Sequence, residues 1–62
     1  MKIKHFKVRV TTKDKVLILK YNTDNKPEVD EELLFFYDGK NRFVKVIKVT
    51  SSEIDAVEIE SN

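Results

Sequence analysis

The carboxylate side chains of this chain come closest to a metal-binding or catalytic pattern. Hard cations such as Ca²⁺ are bound by several carboxylate oxygens, and one polar segment holds five acids, Asp24, Glu28, Asp30, Glu31 and Glu32. Their spacing lacks the alternation and the central glycine of an EF-hand loop. A second group, Glu53, Asp55, Glu58 and Glu60, has the spacing of a polar strand face. We interpret both groups as solvated acidic surface and predict no metal site.

The single histidine, His5, lies in a run of lysines with no carboxylate near it in sequence. A nucleophilic triad needs a base beside the nucleophile and a third group that orients the base. The chain has no cysteine and one glycine, so it also lacks a catalytic thiol and a phosphate-cradling loop. We therefore predict no enzymatic activity, no catalytic residue and no cofactor.

Basic residues are concentrated at the start of the chain, where residues 1–22 carry a local charge of +6. Such residues bind nucleic-acid phosphates, and an alternative function is a small β-barrel that binds nucleic acid through Lys4, Lys7, Arg9, Lys13 and Lys15. Against this alternative, the whole chain carries a net charge of only +1. A last strand that contains Asp55 and Glu58 would also compensate the first strand if the two lie side by side. Nucleic acid is therefore the less favoured partner.

A predicted β-hairpin over residues 33–49 must position most of the large apolar side chains. Two apolar runs flank Asp38-Gly39, a dipeptide that favours a tight β-turn, and Gly39 is the only glycine. A two-residue loop would pair Phe36 with Asn41. A four-residue loop would pair Phe36 with Phe43, and we predict this second register because it matches aromatic with aromatic.

Three segments outside the hairpin also read as strands. Residues 2–10 alternate in polarity, residues 16–21 are apolar on both faces and are predicted to be central, and residues 54–60 supply the fifth strand, after the fourth strand of the hairpin over residues 42–49. A helix over residues 26–38, with Pro27 in its first turn, is a competing interpretation, although Phe-Phe-Tyr favours a strand. We predict an all-β fold of five antiparallel strands in a partly open barrel of the SH3-like type. The alternative is an α+β fold with ββαββ order.

The length of 62 residues predicts one small domain, residues 1–62. No apolar run approaches the roughly 18 residues of a membrane-spanning helix, and the first residues lack the apolar core of a signal peptide. We therefore predict a cytoplasmic protein with no membrane partner. Its small size and its bias to lysine and asparagine suit a bacterial accessory protein.

Large side chains point to both faces of residues 33–37, although a five-stranded domain has only one interior. If Leu33 and Phe35 fill that interior, then Leu34 and Phe36 lie outside, together with Phe43. We predict that Leu34, Phe36 and Phe43 bind a partner. The predicted function is a non-enzymatic protein–protein interaction module that binds another protein or forms a homodimer.

Overall fold

A computed structural model describes residues 2–59. They form one sheet of five strands with the order β2-β1-β5-β4-β3. The strands are β1 Lys4–Thr11, β2 Val16–Thr23, β3 Glu32–Tyr37, β4 Lys40–Val49 and β5 Glu53–Glu58. The sheet curls into a half-barrel, which confirms the predicted all-β class and the partly open barrel. Residues 2–59 contain no helix, so the ββαββ alternative is wrong. It follows that this part of the chain has no long apolar helix of the kind that crosses a bilayer.

The first and last strands lie side by side, as expected, but they run parallel. Lys7 of β1 pairs with Glu53 of β5, and Val10 pairs with Ala56. The other three pairings in the sheet are antiparallel, so the prediction of a purely antiparallel sheet is wrong at this one ladder. The reason is topological. Each of the four connections reverses the chain direction, and strands one and five therefore point the same way.

Strand β2 forms one edge of the sheet, whereas its apolar sequence predicted a central strand. Its only neighbour in the sheet is β1. Val16 and Ile18 point outward with 55% and 54% of their surface exposed, while Leu17 and Leu19 pack against the core from inside. Apolar residues on both faces of this strand therefore do not mean that both faces are covered.

The core fills the concave side of the half-barrel. Its fully buried side chains come from the three middle strands and are Val8, Val10, Val44, Val46 and Ile54. At the two edges of the sheet, Tyr21 of β2 meets Phe35 of β3 edge-on, with ring centroids 5.4 Å apart. Inward-facing aromatic side chains therefore connect the two edge strands, which stand at opposite ends of the strand order.

The β3–β4 hairpin has a two-residue loop, so the predicted four-residue register is wrong. Tyr37 pairs with Lys40 and Leu34 pairs with Phe43. Asp38 and Gly39 have φ angles of 53° and 81°, and positive φ at both loop positions is typical of the type I′ turn, whose twist suits the flanking strands. Cross-strand pairs add only about 0.2–1 kcal/mol each, and in this chain the turn geometry decided the register.

Residues 24–31 connect β2 to β3 without a helix, so the helix considered over residues 26–38 is wrong. The Glu31 amide donates to the Glu28 carbonyl at 3.1 Å and closes a turn, in which Asp30 has a φ of 75°. The Asp30 amide donates to the Val46 carbonyl at 2.8 Å, and the Val46 amide donates to the Glu31 carbonyl at 2.9 Å. Pro27 is buried. The connection is therefore anchored on β4, beside the start of β3.

Candidate functional site

The outer side of the β3–β4 hairpin carries the three residues that were predicted to bind a partner. Leu34 lies directly opposite Phe43 across the ladder, and Phe36 lies opposite Asn41, diagonal to Phe43. Leu34 is 53% exposed, Phe36 68% and Phe43 49%. The structure thus brings the three apolar side chains together on one surface, although through different pairs from those the predicted register gave.

This surface has an apolar centre and a charged end. At the end far from the turn, Glu32 pairs with Lys45, and the Lys45 ammonium lies 3.7 Å from a carboxylate oxygen of Asp30. We use the name hairpin outer face for the six outward residues Glu32, Leu34, Phe36, Asn41, Phe43 and Lys45. One acid and one base therefore flank a group of exposed apolar side chains.

Residues beneath the hairpin outer face hold it in place. Leu33 and Val44 pair with each other on the inner side of the same ladder, and both belong to the buried core. On the β5 side, the Ile59 amide donates to the Phe43 carbonyl at 2.9 Å. The face is therefore part of a regular sheet with a packed core behind it.

The five basic residues of the alternative nucleic-acid hypothesis do not share one surface. Lys7 and Arg9 lie on the outer side of β1, where β5 places Glu53 beside Lys7 and Asp55 beside Arg9. At these positions an acidic residue of β5 therefore lies beside each basic residue of β1, as the sequence predicted.

The other three basic residues lie near the two ends of the β1–β2 hairpin. Lys4 pairs with Thr23 at the open end. Lys13 lies in the turn at the opposite end, and the Lys15 ammonium forms an ion pair with Asp38 at 2.9 Å. The structure brings Lys13 and Lys15 near each other, but it does not join them to Lys4 in one patch.

A polar cluster of Tyr37, Arg42 and Glu58 was missed by the sequence analysis. The Tyr37 hydroxyl donates to Glu58 Oε1 at 2.7 Å, and Arg42 Nη1 lies 3.3 Å from the same oxygen. The Arg42 guanidinium also lies over the Tyr37 ring, 5.4 Å from its centroid. A signal existed in the sequence, because Arg42 is in phase with Val44 and Val46 and such alternation places it on the inner face.

Burial, the hydrogen bond to Glu58 and the negative charge of Glu58 together raise the pKa of Tyr37 to about 12. The phenol therefore stays protonated at neutral pH and donates to the carboxylate. The Nε atom of Arg42 is buried and has no hydrogen-bond partner within residues 2–59. This cluster ties the ends of β3, β4 and β5 together.

Two surface cavities lie away from the centre of the hairpin outer face. One of about 510 Å³ lies over β1 and β2, with Lys7, Ile18 and Lys20 in its lining. The other, of about 350 Å³, lies at the β1–β2 turn and includes Lys15 and Arg42, whose charges are balanced by Asp38 and Glu58.

The other candidate residues for catalysis or metal binding are His5 and the acidic residues. Nδ1 of His5 lies 2.7 Å from the side-chain oxygen of Asn22, within hydrogen-bond distance. The acids of residues 24–32 lie in the loop and at the start of β3, whereas Glu60 lies outside the described residues. Over residues 2–59, no three histidine, aspartate or glutamate side chains are arranged to hold a metal ion.

Comparisons of this chain with protein-family models, with curated proteins and with solved structures found no match. The function is therefore inferred from the geometry and chemistry of the chain itself.

Proposed function

We propose that this chain is a non-enzymatic protein–protein interaction module that binds through its hairpin outer face. The observation that carries the proposal is the contiguous exposure of Leu34, Phe36 and Phe43 on one regular surface. The proposal includes a cytoplasmic setting, which the lack of cysteine supports, and an accessory role in a bacterium. The partner is another protein or a second copy of the chain.

Energetics support a binding role for these side chains. Burying one leucine or phenylalanine side chain fully contributes about 1.5–3 kcal/mol, and the three residues are each about half exposed or more. Single exposed apolar residues are common on protein surfaces. A contiguous group that contains two aromatic rings is more typical of an interaction site.

The regular backbone beneath the surface also supports binding. The three side chains stand on a hydrogen-bonded ladder, and Leu33 and Val44 fill the core directly behind it. A surface that is ordered before binding loses less conformational entropy when a partner covers it. The ordering cost of this face on binding is therefore small.

The test replaces Phe36 with Ser and compares this variant with the parent and with Ile18→Ser. Ile18 is a matched control because it is an outward apolar residue, 54% exposed, on β2. We expect Phe36→Ser to remain folded, since the side chain is 68% exposed. We also expect it to lose the association that the parent and Ile18→Ser show in sedimentation velocity, or in co-purification with a partner from the source cells.

Two results would contradict the proposal. One is a parent that shows no association in either experiment. The other is a Phe36→Ser variant that associates as strongly as Ile18→Ser, since an interface centred on the hairpin outer face must respond to the loss of its most exposed aromatic ring.

A further inference from the structure

We infer that the hairpin outer face binds a second copy of this chain, face to face, about a two-fold axis parallel to β3 and β4. The inference rests on the proposed function and specifies its partner and geometry. It is drawn from the arrangement of charged and apolar side chains on the six residues of the face.

The charged end of the face selects this orientation. A two-fold axis that lies between β3 and β4 and parallel to them places β3 of one copy over β4 of the other. Glu32 then lies over Lys45 of the partner copy, and Lys45 lies over the partner's Glu32. Within residues 2–59, none of the ion pairs involves Glu32. In the symmetric dimer, the Glu32 carboxylate of each copy therefore lies opposite Lys45 of the other copy, so the charge pair forms twice.

The apolar row of Leu34 and Phe43 matches in the same orientation. Leu34 and Phe43 lie directly opposite each other in the ladder, so the same axis places Leu34 over Phe43 of the partner copy and Phe43 over the partner's Leu34. Phe36 lies over the partner's Asn41. Sheets that pack face to face keep their strands within about 30° of each other, and this arrangement meets that requirement.

The other in-plane axis, perpendicular to the strands, matches the surfaces poorly. If this axis runs through the Leu34–Phe43 row, β3 lies over β3 of the partner copy and Glu32 meets Phe36. Lys45 then meets Asn41. Each charge is covered without an opposite charge, and such desolvation is unfavourable.

The size of the face predicts a dimer that depends on concentration. A stable interface buries at least about 600 Å² on each partner, which is roughly an eighth of the 4739 Å² surface of this chain. A face of six side chains on two strands lies near this lower limit, and we therefore expect dissociation on dilution.

The test uses two charge-reversed variants, Glu32→Lys and Lys45→Glu. Sedimentation equilibrium measures the dimerisation of each variant alone and of their mixture. Each variant alone places like charges over each other on both sides of the axis, so we expect its dimer to weaken by about tenfold or more. An equimolar mixture restores opposite charges at both positions and should form a heterodimer of about parental strength. Lys48→Glu is the matched control, because Lys48 lies on β4 outside the face, and it should dimerise like the parent.

Mixing isolates the contact between copies, because the cross-strand pair of residues 32 and 45 inside each variant does not change on mixing. A mixture that stays monomeric while the parent dimerises would overturn the inferred orientation. A monomeric parent whose binding to another protein is lost in Phe36→Ser would overturn the homodimer and leave the proposed function standing. Circular dichroism of each variant establishes that it is folded.

Discussion

Tyr37 shows how one buried polar group can connect three strands. The residue is 7% exposed, its hydroxyl donates to Glu58 on β5, and Arg42 on β4 lies over its ring. The hydrogen bond requires the neutral phenol, and burial together with Glu58 raises the pKa of Tyr37 to about 12. The stability of the sheet should therefore depend on the protonation state of this residue.

The sign of the pH dependence follows from the two states of the chain. The pKa of Tyr37 is about 12 in the folded chain, against 10.0 for an ordinary tyrosine. Above pH 10 the Tyr37 phenol loses its proton more readily in the unfolded chain than in the folded chain. The contribution of Tyr37 to the free energy of unfolding is therefore fully present below pH 10 and is lost as the pH rises towards 12. We expect the free energy of unfolding of the parent to fall more steeply over this range than that of Tyr37→Phe, as measured by urea denaturation. Equal slopes in the two proteins would contradict the role of Tyr37.

At the scale of the element, the Asp38-Gly39 turn fixes the hairpin. Gly39 has a φ of 81° and open space around the position of a Cβ atom, so any cost of substitution comes from the backbone conformation. We expect Gly39→Val to lower the free energy of unfolding by about 1–2 kcal/mol, because a β-branched residue is strained at positive φ. Gly39→Asn should lower the free energy of unfolding by less, because asparagine tolerates positive φ.

Thermal or urea denaturation of the two variants checks this expectation. A neutral Gly39→Val would mean that the turn adopts another conformation in solution, and equal losses in both variants would remove the backbone explanation.

The same turn shows how much of the hairpin the sequence could predict. Alternation assigned Leu34 and Phe36 to one face and Leu33 and Phe35 to the other. These assignments hold because the true and predicted registers differ by two residues, and a shift of two leaves every side chain on its own face. The side-chain pairs alone could not decide the pairing partners, since Phe36 opposite Phe43 and Leu34 opposite Phe43 are both favourable contacts. The sequence did carry the deciding signal, because Asp38-Gly39 is a dipeptide that favours the two-residue type I′ loop.

Alternation alone could not place the strands within the sheet. The apolar run of β2 reads the same whether the strand is central or at an edge, and it is the order of the five strands that leaves Val16 and Ile18 exposed. The cluster of Tyr37, Arg42 and Glu58 depends on that order too, because its members come from three strands. The candidate face was predictable because all of its apolar residues belong to one local hairpin.

At the scale of the whole molecule, basic residues of β1 lie beside acidic residues of β5. Lys7 and Arg9 of β1 lie beside Glu53 and Asp55 of β5, and the net charge is +1. Opposite charges this close reduce the positive potential that a phosphate backbone would meet. We therefore expect weak oligonucleotide binding at physiological salt, as measured by fluorescence anisotropy with a labelled single strand.

The doubly substituted variant Lys7→Glu and Arg9→Glu serves as the control for this measurement. If the parent bound the strand with a steep salt dependence and this variant did not, the basic strand would be a nucleic-acid site. The ranking of the two functions would then be reversed.

The parallel ladder between β1 and β5 joins segments that are far apart in the sequence. The β1–β2 hairpin and the β3–β4–β5 meander consist of neighbouring segments, whereas Lys7 and Glu53 are 46 positions apart. Closing so long a loop costs entropy before any contact is gained, and folding slows as contacts become less local. We therefore expect both smaller units to form early and the β1–β5 ladder to join them in the rate-limiting step. Until that step, Val8 and Ile54, which pair across this ladder, cannot meet, and we expect the middle of the core to remain open to water.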